Sequence, residues 1–139
     1  HEYDLFTKKT IVKLEDCNLS IISPEGTKSD ARAIYQHWLA IKAKQYIPDR
    51  TSYLASEYGF RTGRISIKGQ KTRWGSCSRL GNLTFNYKLM AYGTDIIDYV
   101  IVHELCHLKE LNHSKRFWRL VEEILPNYKE LRKELRNIK

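Results

Sequence analysis

Between Asp95 and Leu111 the chain reads Asp-Ile-Ile-Asp-Tyr-Val-Ile-Val-His-Glu-Leu-Cys-His-Leu-Lys-Glu-Leu, which sets His103, Glu104 and His107 in the order His-Glu-x-x-His inside an apolar run. At about 100° of turn per residue, Ile96, Val100, His103, Glu104, His107 and Leu111 share one arc of a helix. Ile97, Ile101, Leu105 and Leu108 widen that arc, and Asp95, Asp98 and Lys109 fall opposite. A helix apolar around most of its circumference must be packed on most sides, so the rest of the chain has to surround it. Two imidazoles and a carboxylate on the buried arc are costly unless something satisfies them. A divalent cation does so: histidines four residues apart stand one turn apart on the same face, close enough for two nitrogens to reach one zinc at about 2.0 to 2.1 Å. Glu104, rotated from both, is then free to take a proton from a water instead of ligating. The plain alternative is a core helix that happens to carry two histidines. A chance His-Glu-x-x-His is expected roughly once in a few hundred chains of this length, which favours the metal site.

The 139 residues, 42% hydrophobic and 12% aromatic, suit a single globular domain with a real core. A start at His1 rather than Met is expected of a trimmed chain. No run approaches 18 consecutive apolar residues and no apolar stretch precedes a small-residue cleavage site, so neither a membrane span nor a signal peptide is marked. Cys17, Cys77 and Cys106 are odd in number and widely spaced, which argues against a disulfide framework or a zinc ribbon and favours the cytoplasm. Cys106 reads as a packed thiol rather than a ligand. The net charge is +8, and the segment from Arg61 to Lys88 carries seven basic residues and no acidic one. That stretch predicts a positive sheet surface attractive to nucleic acid, nucleotides or acidic peptides, or simply a solvated outer face.

Taken in order, residues 1–29 form a strand-rich segment with alternating Ile11-Val12-Lys13-Leu14 and Leu19-Ser20-Ile21-Ile22, two or three short strands in all. Ser23-Pro24-Glu25-Gly26 is a turn, and Ser29 or Asp30 can cap the next helix. Residues 30–59 are helical: Asp30 to Tyr46 is an amphipathic helix ended by Pro48, and Asp49 to Tyr58 a shorter one stopped by Gly59. His37 borders the first stripe as a packing or surface histidine, with a place in the site left open. Residues 61–90 change period. Ile65 and Ile67, then Thr72 to Trp74, then Leu83, Phe85 and Tyr87 predict three strands of an antiparallel sheet, with Arg79-Leu80-Gly81-Asn82 as a hairpin turn. Residues 94–139 hold the His-Glu-x-x-His helix, capped by Gly93 or Thr94 and ended by Asn112, then a Ser114-capped helix with Phe117, Trp118, Val121 and Leu125 inward. After Pro126 comes a last helix with Tyr128, Leu131, Leu135 and Ile138 on one side.

A catalytic zinc keeps three protein ligands and one open position. His113 is the first choice for the third, since a chain reversing after the helix can bring its imidazole back over His103 and His107. The spacing is that of the metzincin pattern, yet Glu110 replaces its glycine and no methionine comes after His113, so a metzincin is not expected. Glu122 or Glu123 is the rival ligand.

Four blocks carry a resemblance: Arg73-Trp74-Gly75-Ser76-Cys77-Ser78, Gly81-Asn82-Leu83-Thr84-Phe85-Asn86, Asp98 to His107, and Asn112-His113-Ser114 with Phe117-Trp118. In these the chain resembles the YgjP-like predicted metallopeptidases, which look related to the SprT-like and WLM zinc proteases. The resemblance implies an α+β zincin-like fold, a small twisted antiparallel sheet packed on the active-site helix with flanking helices. It implies Zn2+ on His103, His107 and His113, with Glu104 as general base. It also implies that the strand through Trp74, Gly75 and Ser76 rims a groove for a peptide or protein substrate, pairing by strand addition. Trp74 is otherwise a core tryptophan. Asn86, Tyr87, Tyr92, His37 and Arg116 are unranked candidates for stabilising the oxyanion.

The leading expectation is thus a zinc metallopeptidase. The same metal could instead serve a nucleotide pyrophosphohydrolase, with phosphates on the basic sheet, or a DNA-associated SprT-like protease or binding module.

Overall fold

The computed structural model describes residues 2–6, 10–15, 18–22 and 31–138. The predicted turn over Ser23 to Gly26, the Ser29 or Asp30 cap and Cys17 lie outside the described residues. The three early segments are β1 (Glu2–Phe6), β2 (Thr10–Glu15) and β3 (Asn18–Ile22), an antiparallel sheet in that order. Val12 faces Tyr3 on one side and Ile21 on the other.

One continuous helix comes next, α1 (Ala31–Tyr58), and Pro48 lies inside it. Two helices broken at Pro48 were expected. A proline inside a helix removes one hydrogen bond and crowds the carbonyl four residues back, a cost of about 3 kcal/mol. Here burial on both sides of Pro48 offsets it: Ala43 and Ile47 before it and Thr51, Leu54 and Ala55 after it are all buried, on one continuous stripe. Thr51 Oγ1 donates to the Ile47 carbonyl at 2.7 Å, so this buried hydroxyl is satisfied within the helix.

The second sheet holds β4 (Ile65–Lys68), β5 (Gly75–Cys77) and β6 (Leu83–Asn86) in the order β4-β6-β5. It is mixed rather than antiparallel: β5 runs antiparallel to β6, but β4 pairs parallel with it, Ile65 beside Leu83 and Ile67 beside Phe85. Directions alternate along the chain, so when β6 returns between its two predecessors it must run with β4. It takes the centre because Leu83 and Phe85 are its fully buried residues, both at 0% exposure. The β5–β6 hairpin turns at Gly81 (φ 85°), a left-handed position that glycine takes without strain, and the Gly81 amide donates to the Ser78 carbonyl at 3.0 Å.

After a 3-10 turn over Tyr87–Ala91 comes α2 (Thr94–Cys106), then α3 (Lys115–Ile124) and α4 (Tyr128–Asn137). α2 is the centre of the core. Ile96, Ile97, Tyr99, Val100, Ile101, Val102, Leu105 and Cys106 are buried against Ile47 and Leu54 of α1, Phe85 of β6, Phe117 of α3 and Leu131 of α4. Each such aliphatic side chain contributes about 1.5–3 kcal/mol by leaving water. Asp98, on the face left polar, is held by Arg50 of α1 through a bidentate pair at 2.9 and 2.8 Å. No helix among the described residues is long and apolar enough to cross a membrane.

α2 ends at Cys106, earlier than the expected stop at Asn112, and His107 is its C-cap. The amides of Leu108 and Glu110 fold back on the carbonyls of Leu105 and Cys106 at 3.0 and 2.9 Å, and the His107 ring engages the Glu110 carbonyl at 3.0 Å. These contacts tighten the last turn and reverse the chain before Asn112 is reached.

Candidate metal centre

His103 and His107 project from the last turn of α2, and His113 arrives from the segment after the reversal. Among the described residues these three place one ring nitrogen each within 4.8 Å of one another. Nε2 of His107 and Nε2 of His113 stand 3.1 Å apart. A tetrahedral ion with nitrogens at about 2.0 to 2.1 Å needs them about 3.3 Å apart, so the His107–His113 pair already suits a divalent cation, and the three nitrogens, all within 4.8 Å, can close on it by rotation of the rings. The hydrogen bond from Nδ1 of His107 to the Glu110 carbonyl fixes its tautomer, leaving Nε2 with a free lone pair. Burial, and then the neighbouring His103 and His107, hold the His113 imidazole below its usual pKa, which keeps its lone pair available too.

α3 supplies the wall behind the imidazoles. Ser114 caps it, its hydroxyl accepting from the Phe117 amide at 3.4 Å, and this aims Phe117 and Trp118 at the cluster. The Phe117 ring, at 0% exposure, lies 4.4 Å from His107, nearly parallel to it, and 5.0 Å from both His103 and His113. Trp118 stacks on His113 at 5.8 Å. Histidine rings packed on aromatic faces cannot swing freely, so the cluster is pre-shaped.

Glu104 is 6% exposed, and its Oε2 lies 3.2 Å from Nδ1 of His103. Opposite it is Gly75, the first residue of β5. A Cβ there would stand 3.1 Å from Glu104 Cγ and 3.3 Å from its Oε2, so the carboxylate occupies space that only a glycine leaves. β5 is an edge strand. Since the Trp74 carbonyl and the Ser78 amide bond to Asn86 and Asn82, alternation turns the backbone groups of Gly75 and Cys77 to the unpaired side. A cavity of about 300 Å³ opens there, lined by Trp74, Gly75, Tyr99, His103, Glu104 and Arg132 among others.

Of the residues expected in the site, the structure therefore brings together His103, Glu104, His107, His113, Trp74 and Gly75. Ser76 sits opposite Thr84 in the hairpin and does not line the cavity. Asn86 is 3% exposed and fully engaged: its Nδ2 donates to the carbonyls of Gln70 and Arg73 at 2.8 and 3.0 Å, and its Oδ1 accepts from the Lys88 amide. It ties down the loop that feeds β5. Neither it nor Tyr87, Tyr92, His37 or Arg116 lines the cavity; Tyr92 packs edge-on against Trp74, and Arg116 lines a separate cleft with Glu123. Glu122 and Glu123 are exposed and lie outside the three-nitrogen cluster. Cys106 is fully buried, and burial pushes its thiol up to about 12, as a packed cysteine requires.

Tyr99, Arg132 and Arg136 line the cavity unforeseen. Only their helical spacing could have pointed to them, and spacing does not say which neighbour a face meets. Of the seven cations in the 61–88 run, Arg73 alone reaches this cavity.

A protein-family model described as YgjP-like, metallopeptidase domain, matches residues 1–138. Among solved structures, the metallopeptidase zymogen abylysin of Pyrococcus abyssi superposes with a TM-score of 0.58 at 25% identity, over 64% of this chain and 90% of that one. The metallopeptidase zymogen jannalysin of Methanocaldococcus jannaschii superposes with a TM-score of 0.57 at 22% identity, over 64% and 92%. No curated protein matches the chain. A family match across nearly the whole length, joined to an α+β fold shared with metallopeptidases and to a three-histidine cluster suited to a metal, places the chain in the YgjP-like metallopeptidase family.

Proposed function

We propose that the chain is a zinc peptidase in which His103, His107 and His113 hold the ion and Glu104 is the general base. The observation that carries this reading is the pairing of a three-nitrogen cluster with a buried carboxylate pressed against an unpaired strand edge. Zinc suits three imidazole donors, and when bound it supplies Lewis acidity that makes a water acidic near neutral pH. Glu104 takes the proton from the attacking water and delivers it to the departing amine, its carboxylate held at one place by Gly75 and His103. The outward groups of Gly75 and Cys77 bind the substrate backbone as an added strand, and Trp74 walls the cavity beside it. Asn86 acts on substrate only through β5, whose entry it anchors. Among the described residues Cys77 and Cys106 are free, which suits a reducing compartment such as the cytoplasm.

The test is elemental analysis of protein purified without added metal, together with cleavage of an unstructured protein substrate. About one zinc per chain is expected, reduced in His113→Ala, with cleavage lost in a Glu104→Gln variant that keeps its zinc. Protein that takes up no zinc on reconstitution would overturn the assignment.

A further inference from the structure

Beside the histidine cluster lies a larger cleft, about 870 Å³, between α3 and α4. Its walls carry Lys115 and Arg119 from α3 and Lys129, Arg132, Lys133 and Arg136 from α4, against a single acidic residue, Glu122. All six cations are exposed. The Arg50–Asp98 ion pair and the His103–Glu104 contact found among the described residues involve none of them. The four from α4 fall at i, i+3, i+4 and i+7, within an arc of about 100°, whereas Glu130 and Glu134 are rotated off that arc and do not line the cleft. His113 opens onto it, and Arg132 and Arg136 line both this cleft and the cavity that holds Glu104 and Gly75. The cleft therefore adjoins the cavity along these two arginines. Its floor is aromatic: Trp118 stacks on Tyr128 at 5.4 Å, and the Arg132 guanidinium sits 4.5 Å over the Trp118 ring, which orders it.

We infer that this cleft is a specificity subsite for acidic polypeptide, so that the protein selects substrates carrying several Asp or Glu residues on one side of the scissile bond. The inference rests on the peptidase reading of the adjoining site. Six like charges gathered in a cleft against one carboxylate raise its potential and suit a ligand of opposite sign. Their layout favours a chain over a compact anion. Lys129 and Arg136 are seven residues apart, about 10 Å along the helix, and an extended peptide sets side chains of one face about 7 Å apart. Cations strung out in this way meet successive carboxylates. A compact phosphate is instead gripped by cations or amides that converge on one point, whereas these are spread along two turns of α4 and across to α3.

The experiment measures fluorescence polarisation of a labelled, unstructured peptide of alternating Glu and Ala, and of its Gln counterpart, on full-length Glu104→Gln protein. A nucleoside triphosphate and a short DNA duplex serve as competitors. The Glu peptide is expected to bind about tenfold more tightly than the Gln peptide, the size that two or three exposed ion pairs support together. That ratio should fall towards one in Lys129→Glu/Lys133→Glu, whose changes are at exposed positions, and at high salt. Equal binding of the two peptides, or a ratio unmoved by the double charge reversal, would overturn the inference. So would displacement by the triphosphate or the duplex at concentrations well below those of the Glu peptide itself. In parallel, wild-type protein is given cleavable peptides with Glu or Gln runs on either side of a common bond. Preference for Glu on one side supports the subsite, and cleavage indifferent to charge refutes it while leaving the peptidase standing. Failure to cleave any of them removes the peptidase reading, and the binding ratio then still decides whether the cleft takes acidic chains.

Discussion

The position of Glu104 depends on an absent side chain, and this makes Gly75→Ala the most informative single change. The added methyl would meet Glu104 Cγ at 3.1 Å, the Thr84 carbonyl oxygen at 3.2 Å and Glu104 Oε2 at 3.3 Å. All three are tighter than ordinary van der Waals contact by a few tenths of an ångström. Thr84 belongs to the central strand and cannot retreat, so Glu104, on a flexible stem, moves. For a reacting group a displacement of about 1 Å costs on the order of a hundredfold in rate, and a few tenths about tenfold. The effect on stability is small, because replacing glycine lowers the entropy of the unfolded chain by about 0.4–1 kcal/mol and the crowding at Thr84 offsets it. None of the three atoms nearest the added methyl belongs to an imidazole, so zinc content is expected to stay whole. The expected signature is therefore a drop in kcat of about tenfold, with KM, zinc stoichiometry and melting temperature nearly unchanged. Steady-state kinetics, elemental analysis and a thermal melt on one preparation read all four. Unchanged kcat would refute the claim that Gly75 sets the carboxylate; a kcat loss accompanied by loss of zinc would mean that the strand braces the metal site instead.

Phe117→Ala removes the ring on which all three imidazoles pack and is expected to cost about 3–5 kcal/mol of unfolding free energy, with zinc affinity falling in parallel; chelator competition against wild type checks the second part. Asn86→Ala frees the 70–73 loop by removing two part-buried hydrogen bonds, for about 1–2 kcal/mol in urea unfolding and a lower kcat/KM through a mispositioned β5. A double-mutant cycle on Arg50→Ala and Asp98→Ala should give a coupling of about 1 kcal/mol that shrinks with salt, because the two side chains are 32% and 20% exposed and water screens the pair.

Much of this site is written in short-range order, and short-range order is what a sequence displays. His103, Glu104 and His107 lie within five residues on one helix, where a fixed turn per residue dictates that the imidazoles converge. The Ser114 cap, three residues before Phe117, is equally local. His113 was reached by spacing even though α2 ends at Cys106, because any reversal of about six residues returns the chain to the last turn. The misread features are those in which tertiary packing competes with a local rule. Proline breaks an isolated helix, but the stripe of Ala43, Ile47, Thr51, Leu54 and Ala55 continues unbroken through Pro48, and that continuity was the better signal. The alternation of Ile65-Ile67 and Leu83-Phe85 fixes the faces of strands but says nothing about direction, so a parallel pair looks the same as an antiparallel one.

Charge misled for a related reason. Counting along the chain singles out 61–88, where basic residues are contiguous, and passes over α4, where Glu130 and Glu134 dilute the count. A helix sorts charges by angle, not by order. Lys129, Arg132, Lys133 and Arg136 gather on one side, and packing of α4 against α2 through Leu131 turns that side toward the cluster. With Leu131 buried under α2, the cations one to five residues away line the cleft beside it. The basic cleft is thus a consequence of the same helix packing that closes the core over α2, and a charge reversal on its rim should alter which substrates enter without disturbing the centre that the core holds in place.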